Sequence, residues 1–279
     1  MRIIDGKQIA QEIIKKLKNQ KKPDKILAAI LVGNNPQSES FLKQKEKIAK
    51  ELGIDFRIYK FPQEIKNDDL RKEVLKIALL KRVGGVIVQL PLPEHLNRHY
   101  VLNVIPREKD IDVLGERTLG AFYCDRNLAL PPAVATLNEI LKTTNYDLQT
   151  KKVAVVGSGF LIGKPIAVWL MNNKVKKLAI FEKWSDLLEL KEYDLVIPGV
   201  GQASLIKPGM LKQGAGIIDF GYSIDEIGKL SGDFDASQVS DVKDQLSFYT
   251  PTPGGTGPIL VAKLFENFYN LNKDEKLNE

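Results

Sequence analysis

Short apolar runs closed by turn residues alternate along this chain with stretches whose apolar positions recur every three to four residues. Runs of the first kind suit strands buried on both faces, and stretches of the second kind suit helices with one covered face. Their alternation predicts βαβ units around parallel sheets, an α/β fold. The pattern predicts a helix over Gly6–Lys18 capped by Asp5 and a buried strand over Ile26–Val32 that ends in Gly33-Asn34-Asn35-Pro36. An amphipathic helix over about 38–52, a strand near 56–60, a helix near 68–81 and a strand over 85–90 complete a first unit, closed by Pro91-Leu92-Pro93. After an irregular segment around 106–132, a helix over about 133–143 leads to strands near 153–156, 178–181, 195–197 and 216–219, a second and separate α/β domain. A last helix is predicted near 258–269, followed by a polar end over 273–279 that is expected to fray.

Composition narrows the class without choosing a function. With 279 residues, 43% hydrophobic and 27% charged, the chain has the make-up of a folded protein rather than a disordered or collagen-like one. The lone Cys124 excludes an internal disulfide. No apolar run approaches the ~20 residues of a membrane span, and the amino terminus has no signal-peptide pattern, so a cytoplasmic location is expected. A net charge of +6 suits small polyanions such as dinucleotides and carboxylated metabolites. The lysines are spread over amphipathic segments with no nucleic-acid-binding pattern, so neither nucleic acid nor membrane is expected as a partner. The two histidines, His95 and His99, could share a helix face, but no Glu follows the first, and no metal site is expected.

Four places carry candidate chemistry. Lys152-Val153-Ala154-Val155-Val156 runs into Gly157-Ser158-Gly159-Phe160-Leu161-Ile162-Gly163-Lys164-Pro165 and then an amphipathic segment from Ile166. Glycines between a strand and a helix let a pyrophosphate approach the backbone and the helix amides. The spacing is one residue longer than the usual fingerprint, and a tight structural loop is the competing reading. At the end of the next strand Glu182 favours NAD and the adjacent Lys183 favours NADP, unless both are solvated loop charges. In the first unit Ser38, Phe41, Lys45, Ile48 or Ala49, and Leu52 share a helix face, so Lys45 interrupts an apolar stripe. A lysine partly removed from water loses proton affinity and suits acid–base work; a lysine that packs its stem and snorkels is the plainer alternative. Gln89 is a polar amide at the carboxyl end of an apolar strand, where ligands of open α/β sheets bind, or else an ordinary strand end. Asp110 and Asp112 place two carboxylates in one loop, able to accept paired N–H donors from an aminopyrimidine ring or simply to face solvent.

Ser38-x-x-Phe41-x-x-x-Lys45-x-Lys47, Val88-Gln89-Leu90-Pro91-Leu92-Pro93, Lys109-Asp110-Ile111-Asp112, the glycine turn to Lys164-Pro165, and the run from Thr250 through Pro251-Thr252-Pro253-Gly254-Gly255-Thr256-Gly257 to Pro258 follow one another along nearly the whole chain. Together they resemble the bifunctional methylenetetrahydrofolate dehydrogenase/methenyltetrahydrofolate cyclohydrolase family. Ile4-Asp5-Gly6-Lys7 and Ile218-Asp219-Phe220-Gly221 are similar to that family too.

The resemblance implies a catalytic domain over 1–135 joined by the helix 257–279, a Rossmann domain over 136–256, a folate cleft between them, and a homodimer. It implies tetrahydrofolate derivatives as substrates and NADP as cofactor, with NAD possible. Lys45, Gln89 and Asp112 would be catalytic: the lysine handles protons at the attacking water and the opening ring, Gln89 orients it, and Asp112 holds the pterin. Ser38, Phe41, Asp110, Pro253, Gly254 and Gly255 would bind substrate. Gly157, Ser158, Gly159, Gly163, Lys164 and Ser185 would lie along the dinucleotide, with Tyr222 near its nicotinamide end. The chain departs from the family pattern at Phe41, where a tyrosine is usual, at Val113, where a glycine is usual, over Ala129-Leu130-Pro131-Pro132-Ala133, at Gly159, where a serine is usual, and at Glu182-Lys183. Loss of the Phe41 hydroxyl leaves a single retained activity, or a non-catalytic folate- and dinucleotide-binding module, as the alternative readings.

Overall fold

A computed structural model of the chain describes residues 1–224, 230–237 and 246–273; most of the polar end expected to fray, 274–279, lies outside them. In chain order the elements are β1 (Arg2–Ile3), α1 (Gly6–Lys18), β2 (Ile26–Val32), α2 (Pro36–Glu51), β3 (Asp55–Phe61), α3 (Asn67–Leu79), β4 (Val83–Val88), α4 (Arg98–Leu102), α5 (Glu116–Tyr123), α6 (Pro132–Thr144), β5 (Lys152–Val156), α7 (Gly163–Asn172), β6 (Lys177–Phe181), β7 (Leu195–Pro198), β8 (Ala215–Ile217), β9 (Ser223–Ile224), β10 (Leu230–Ser231), β11 (Leu246–Tyr249) and α8 (Thr256–Leu271). Contacts divide them into two compact units, one of residues 11–132 with 261–279 and the other of residues 1–10 with 133–260.

The first unit is built on a three-stranded parallel sheet ordered β3-β2-β4. All seven residues of β2 and all six of β4 are buried, as a continuous apolar run in a parallel sheet requires, whereas the edge strand β3 alternates toward exposure. Within this unit α8 buries Phe265 and Phe268 completely, each burial contributing about 2–3 kcal/mol. Asn267 donates to the carbonyls of Ile111 and Leu130, both at 2.8 Å, and Asn272 to that of Gly84 at 2.9 Å. These amides anchor α8 to the loops at Ile111 and Leu130 and to the start of β4. The segment 106–132 is less irregular than its sequence indicates. It contains a short 3-10 turn at Arg107–Lys109 and α5, too brief to show a helical period. The tiny helix α4 was equally invisible. His95 lies in a turn before it, with Nε2 3.1 Å from the Ile65 carbonyl, so the two histidines do not share a helix face.

The second unit carries a six-stranded sheet ordered β1-β11-β8-β7-β5-β6, with parallel pairing throughout, and a small antiparallel β9-β10 pair. Its strands are short, and Val153, Ala154, Leu195, Val196, Ile197, Ala215 and Ile217 are buried almost without exposure. Residues 1–10 were assigned to the first domain from sequence. They group with this sheet instead, because Arg2 and Ile3 pair with Phe248 and Tyr249 and add β1 to its edge. A two-residue strand has no alternation to read. Asp5 Oδ1 accepts from the amides of Lys7 and Gln8, both at 3.0 Å, and caps α1 as its position predicts.

Candidate active site

Asn35 opens α2: its Oδ1 accepts from the Ser38 amide at 2.9 Å, and Pro36 occupies the first turn. Helical spacing then carries Ser38, Phe41, Lys45 and Ala49 down one side, with Lys43, Lys47 and Lys50 exposed on the other. Ser38 is 2% exposed, and its hydroxyl makes no hydrogen bond among the described residues. A buried hydroxyl without a partner is costly and fits a position that a ligand satisfies.

Lys45 reaches from α2 to the end of β4. Its Nζ donates to Gln89 Oε1 at 3.0 Å. Gln89 is itself buried and fully committed: its backbone amide continues the sheet to the Ile30 carbonyl at 2.9 Å, and its Nε2 donates to the Leu90 carbonyl at 2.8 Å. That second bond fixes which end of the amide faces the lysine. Burial of the Lys45 amine lowers its pKa, and the nearby Asp112 carboxylate opposes the shift. Part of the Lys45 side chain still meets solvent. Asp112 is pushed up to about 6 by desolvation, against the pull of Lys45 and with the help of Asp110. Lys45, Gln89 and Asp112, separated by 44 and 23 positions in sequence, thus form one cluster, and its two ionisable members, Lys45 and Asp112, titrate closer to neutrality than in water.

Asp110 behaves differently from its neighbour. It is 2% exposed; Oδ2 accepts from the amides of Leu114 at 3.0 Å and Gly115 at 2.8 Å, and from the Thr118 hydroxyl. The carboxylate organises the entry to α5, with its Oδ2 taken by donors of the chain itself. The residue between the acidic pair and that loop, Val113, is buried with φ +57°, a left-handed backbone that a β-branched side chain rarely adopts. This is where the family pattern has glycine.

In the second unit β5 runs into the glycine turn. Gly157 has φ +87° and donates its amide to the Phe181 carbonyl at 2.8 Å. Gly163 opens α7 against the Gly157 carbonyl so closely that a Cβ would collide with it. The helix therefore begins three residues earlier than its amphipathic pattern, and its amino end lies directly beside the turn. Ser158 is half-buried, while Gly159 and Lys164 are exposed, and the Lys164 amide bonds to the Gly159 carbonyl at 3.0 Å. After β6, the Ser185 hydroxyl accepts from the Glu182 amide at 2.9 Å and the Ser185 amide returns to the Glu182 carbonyl, closing a turn that leaves Lys183 exposed. Tyr222 follows β8 and is half-buried. Pro253, Gly254 and Gly255 form the turn before α8 and belong to this unit.

The chain matches two family models: tetrahydrofolate dehydrogenase/cyclohydrolase, catalytic domain, over residues 4–112, and tetrahydrofolate dehydrogenase/cyclohydrolase, NAD(P)-binding domain, over residues 131–276. The chain belongs to the tetrahydrofolate dehydrogenase/cyclohydrolase family. It is 33% identical over 274 residues to the bifunctional protein FolD of Listeria innocua, covering 95% of each chain. Among solved structures, the bifunctional methylenetetrahydrofolate dehydrogenase/cyclohydrolase FolD of Campylobacter jejuni superposes with a TM-score of 0.92 at 30% identity, over 98% of each chain. The Trypanosoma brucei enzyme, solved with NADP and an inhibitor, superposes with a TM-score of 0.88 at 26% identity, over 96% of each chain. As a family member the protein is a folate enzyme with an α/β catalytic part and a Rossmann-type NAD(P)-binding part.

Two features escaped the sequence reading. Asn35 was placed only in a strand-ending turn, although Asn-Pro before a periodic segment is a recognisable helix start. The separate fates of Asp110 and Asp112 had no local signal, because Thr118 and the loop amides that claim Asp110 are defined only by folding.

Proposed function

We propose that this enzyme oxidises methylenetetrahydrofolate to methenyltetrahydrofolate with NADP and hydrolyses the product to formyltetrahydrofolate, with Lys45 moving the protons of the hydrolytic step. The observation that carries this reading is the Lys45–Gln89 hydrogen bond at 3.0 Å beside Asp112. A lysine whose pKa is drawn down is better suited to take a proton from the attacking water and return it to the opening ring nitrogen. Gln89 holds the amine in place through an oxygen with no freedom to turn away. Asp112, unclaimed by backbone donors among the described residues, is the group we assign to the pterin N–H edge, and Ser38 Oγ is a further partner for substrate. Phe41 supplies a ring to pack against the folate but no hydroxyl. The missing hydrogen bond is worth about 1–3 kcal/mol, which weakens the reaction without abolishing it.

The glycine turn fits a dinucleotide pyrophosphate, since Gly163, where a Cβ would collide with the Gly157 carbonyl, lets the amino end of α7 lie directly against the turn. NADP, when bound, supplies the acceptor for the hydride that leaves the bridging methylene carbon. Gly157, Ser158, Gly159 and Lys164 then border the phosphates, Ser185 and Lys183 the adenosine ribose, and Tyr222 the nicotinamide end. NADP is named first because Lys183 is exposed at the strand end and the Trypanosoma brucei relative was solved with NADP. We also infer a homodimer: β6 is an open sheet edge with exposed Ile180 on it and exposed Trp184 and Leu188 just after it. A cytoplasmic site suits the exposed thiol of Cys124.

The test is a spectrophotometric assay of the purified chain with methylenetetrahydrofolate and NADP or NAD, following reduced nicotinamide and methenyltetrahydrofolate together. Reduced cofactor without methenyl accumulation is the expected result; no reduction with either dinucleotide overturns the dehydrogenase assignment. Lys45→Met is expected to slow methenyltetrahydrofolate hydrolysis by about 10²–10⁴-fold while folate still binds. Hydrolysis at the normal rate would remove Lys45 from the mechanism.

A further inference from the structure

The NAD(P)-binding unit holds a second pair of buried carboxylates, Asp219 and Asp233, that the reaction described above does not use. Asp233 is 0% exposed, and it collects three successive backbone amides: Val200 at 2.6 Å and Gly201 at 3.2 Å on Oδ2, and Gln202 at 2.7 Å on Oδ1. Charge-assisted bonds of this kind are what offset the cost of burying an ionised carboxylate. Asp219, 1% exposed, accepts from the amides of Gly221 at 2.7 Å and Phe234 at 2.9 Å, and its own amide donates to Thr250 Oγ1 at 2.7 Å. It therefore binds the residue next to Asp233 to the end of β8. Gly221 completes the fit, because a Cβ there would collide with the Asp233 carboxyl.

What these acids hold is informative. In the sheet order, β5 has β6 on one side and β7 on the other, so the connections leaving this point run in opposite directions. Ligands of open parallel sheets bind at the carboxyl ends of strands at such a reversal. One wall of that crevice is the glycine turn after β5. The other is the segment 199–202 after β7, the one whose amides Asp233 gathers. The walls touch: Val200 Cγ2 stands 3.0 Å from the place of a Cβ on Gly157, yet Val200 is 46% exposed. A loop that served only the interior would not keep a valine in solvent beside the phosphate-binding turn.

We propose that Asp233 is a positioning residue for dinucleotide binding: by gathering the amides of Val200, Gly201 and Gln202 it holds the second wall of the crevice in shape before the dinucleotide arrives, and Asp219 seats it for that role. The proposal rests on the reading that the dinucleotide lies at the glycine turn. Its physical content is preorganisation, which lowers the ordering cost of binding and leaves the chemical step alone.

Hydrogen exchange on the free, full-length protein tests the first half. Amides 200–202 are expected to exchange as slowly as those of β7, and exchange at open-loop rates overturns the proposal. Titration of NADPH by its fluorescence tests the second half. Asp233→Asn, which replaces an acceptor oxygen by a donor, is expected to raise the dissociation constant and the KM for dinucleotide by about tenfold, with kcat at saturating dinucleotide within about threefold of wild type. Val200→Ala, a change at an exposed position that leaves the fold intact, is expected to raise the same constants by about threefold. A lowered unfolding midpoint in Asp233→Asn with unchanged affinity, or a fall in kcat with unchanged KM, assigns the residue a merely structural or a chemical role and overturns the proposal. Where Asp233→Asn does not fold, unchanged affinity in Val200→Ala overturns it. Wild-type protein without affinity for NADPH or NADH would instead sink the functional reading, and this proposal with it.

Discussion

Each unit of the molecule contains two neighbouring acids drawn in from water, all of them buried but the half-buried Asp112, and the two pairs are used in opposite ways. In the NAD(P)-binding unit both Asp219 and Asp233 are occupied by backbone amides, two and three respectively. In the catalytic unit only Asp110 is spent in this way; the forces on Asp112 are its burial and the charges of Lys45 and Asp110, with no hydrogen bond among them. A carboxylate engaged by chain amides builds loops, and one left with only a lysine for company keeps its oxygens for a ligand. The hydrogen-bond inventory separates the two roles.

The largest effect that sharpens this contrast comes from neutralising the two acids of the catalytic unit in turn. Asp110→Asn leaves the donors of Leu114, Gly115 and Thr118 short of acceptors and is expected to cost about 2–3 kcal/mol of stability, measured by urea unfolding. Asp112→Asn is expected to change stability by less than about 1 kcal/mol but to move the pH dependence of hydrolysis. Because the Asp112 charge raises the Lys45 pKa, removing it lets that pKa fall, and the limb of kcat/KM that reports Lys45 shifts to lower pH. Equal stability losses in the two variants would break the comparison.

A smaller effect lies in the pH dependence of folding. Burial and the neighbouring Asp233 push Asp219 up to about 7, so the folded chain keeps a proton that the unfolded chain releases near pH 4. The unfolded state then binds fewer protons, and the contribution of this group to stability is complete below about pH 4 and declines as pH rises to about 7. Unfolding midpoints measured across pH 4–8 should decline less steeply in Asp219→Asn than in wild type. Parallel profiles would mean that Asp219 is ionised throughout.

The smallest effect concerns Val113, next to the reactive acid. Its left-handed backbone costs a β-branched residue roughly 1–2 kcal/mol, and its buried side chain returns a similar amount. Val113→Gly relieves the first and forfeits the second, and is expected to stay within about 1 kcal/mol of wild type. Val113→Ala keeps the strain and loses the packing, so it should be the less stable of the two, the reverse of the usual order for alanine and glycine. Thermal unfolding of both variants decides it.

The sequence by itself determined the α/β class, the buried strands β2 and β4, the cap of α1, the glycine turn and the lysine on the covered side of α2. Each of these is written in neighbours a few positions apart: an unbroken apolar run, an aspartate before a periodic stretch, glycines between a strand and a helix. The resemblance carried by five ordered motifs identified the family that the whole-chain comparisons establish. Tertiary structure decided the rest. It brought Lys45, Gln89 and Asp112 into one electrostatic cluster, turned Asp110 inward while leaving Asp112 to the lysine, joined residues 1–10 to the six-stranded sheet, and tied the Val200–Gln202 segment to Asp233. The deciding partner is an amide, a hydroxyl or a charge, four to eight positions away for Asp110 and tens of positions away in the other cases, and a residue type does not state which of its possible partners the folded chain will deliver.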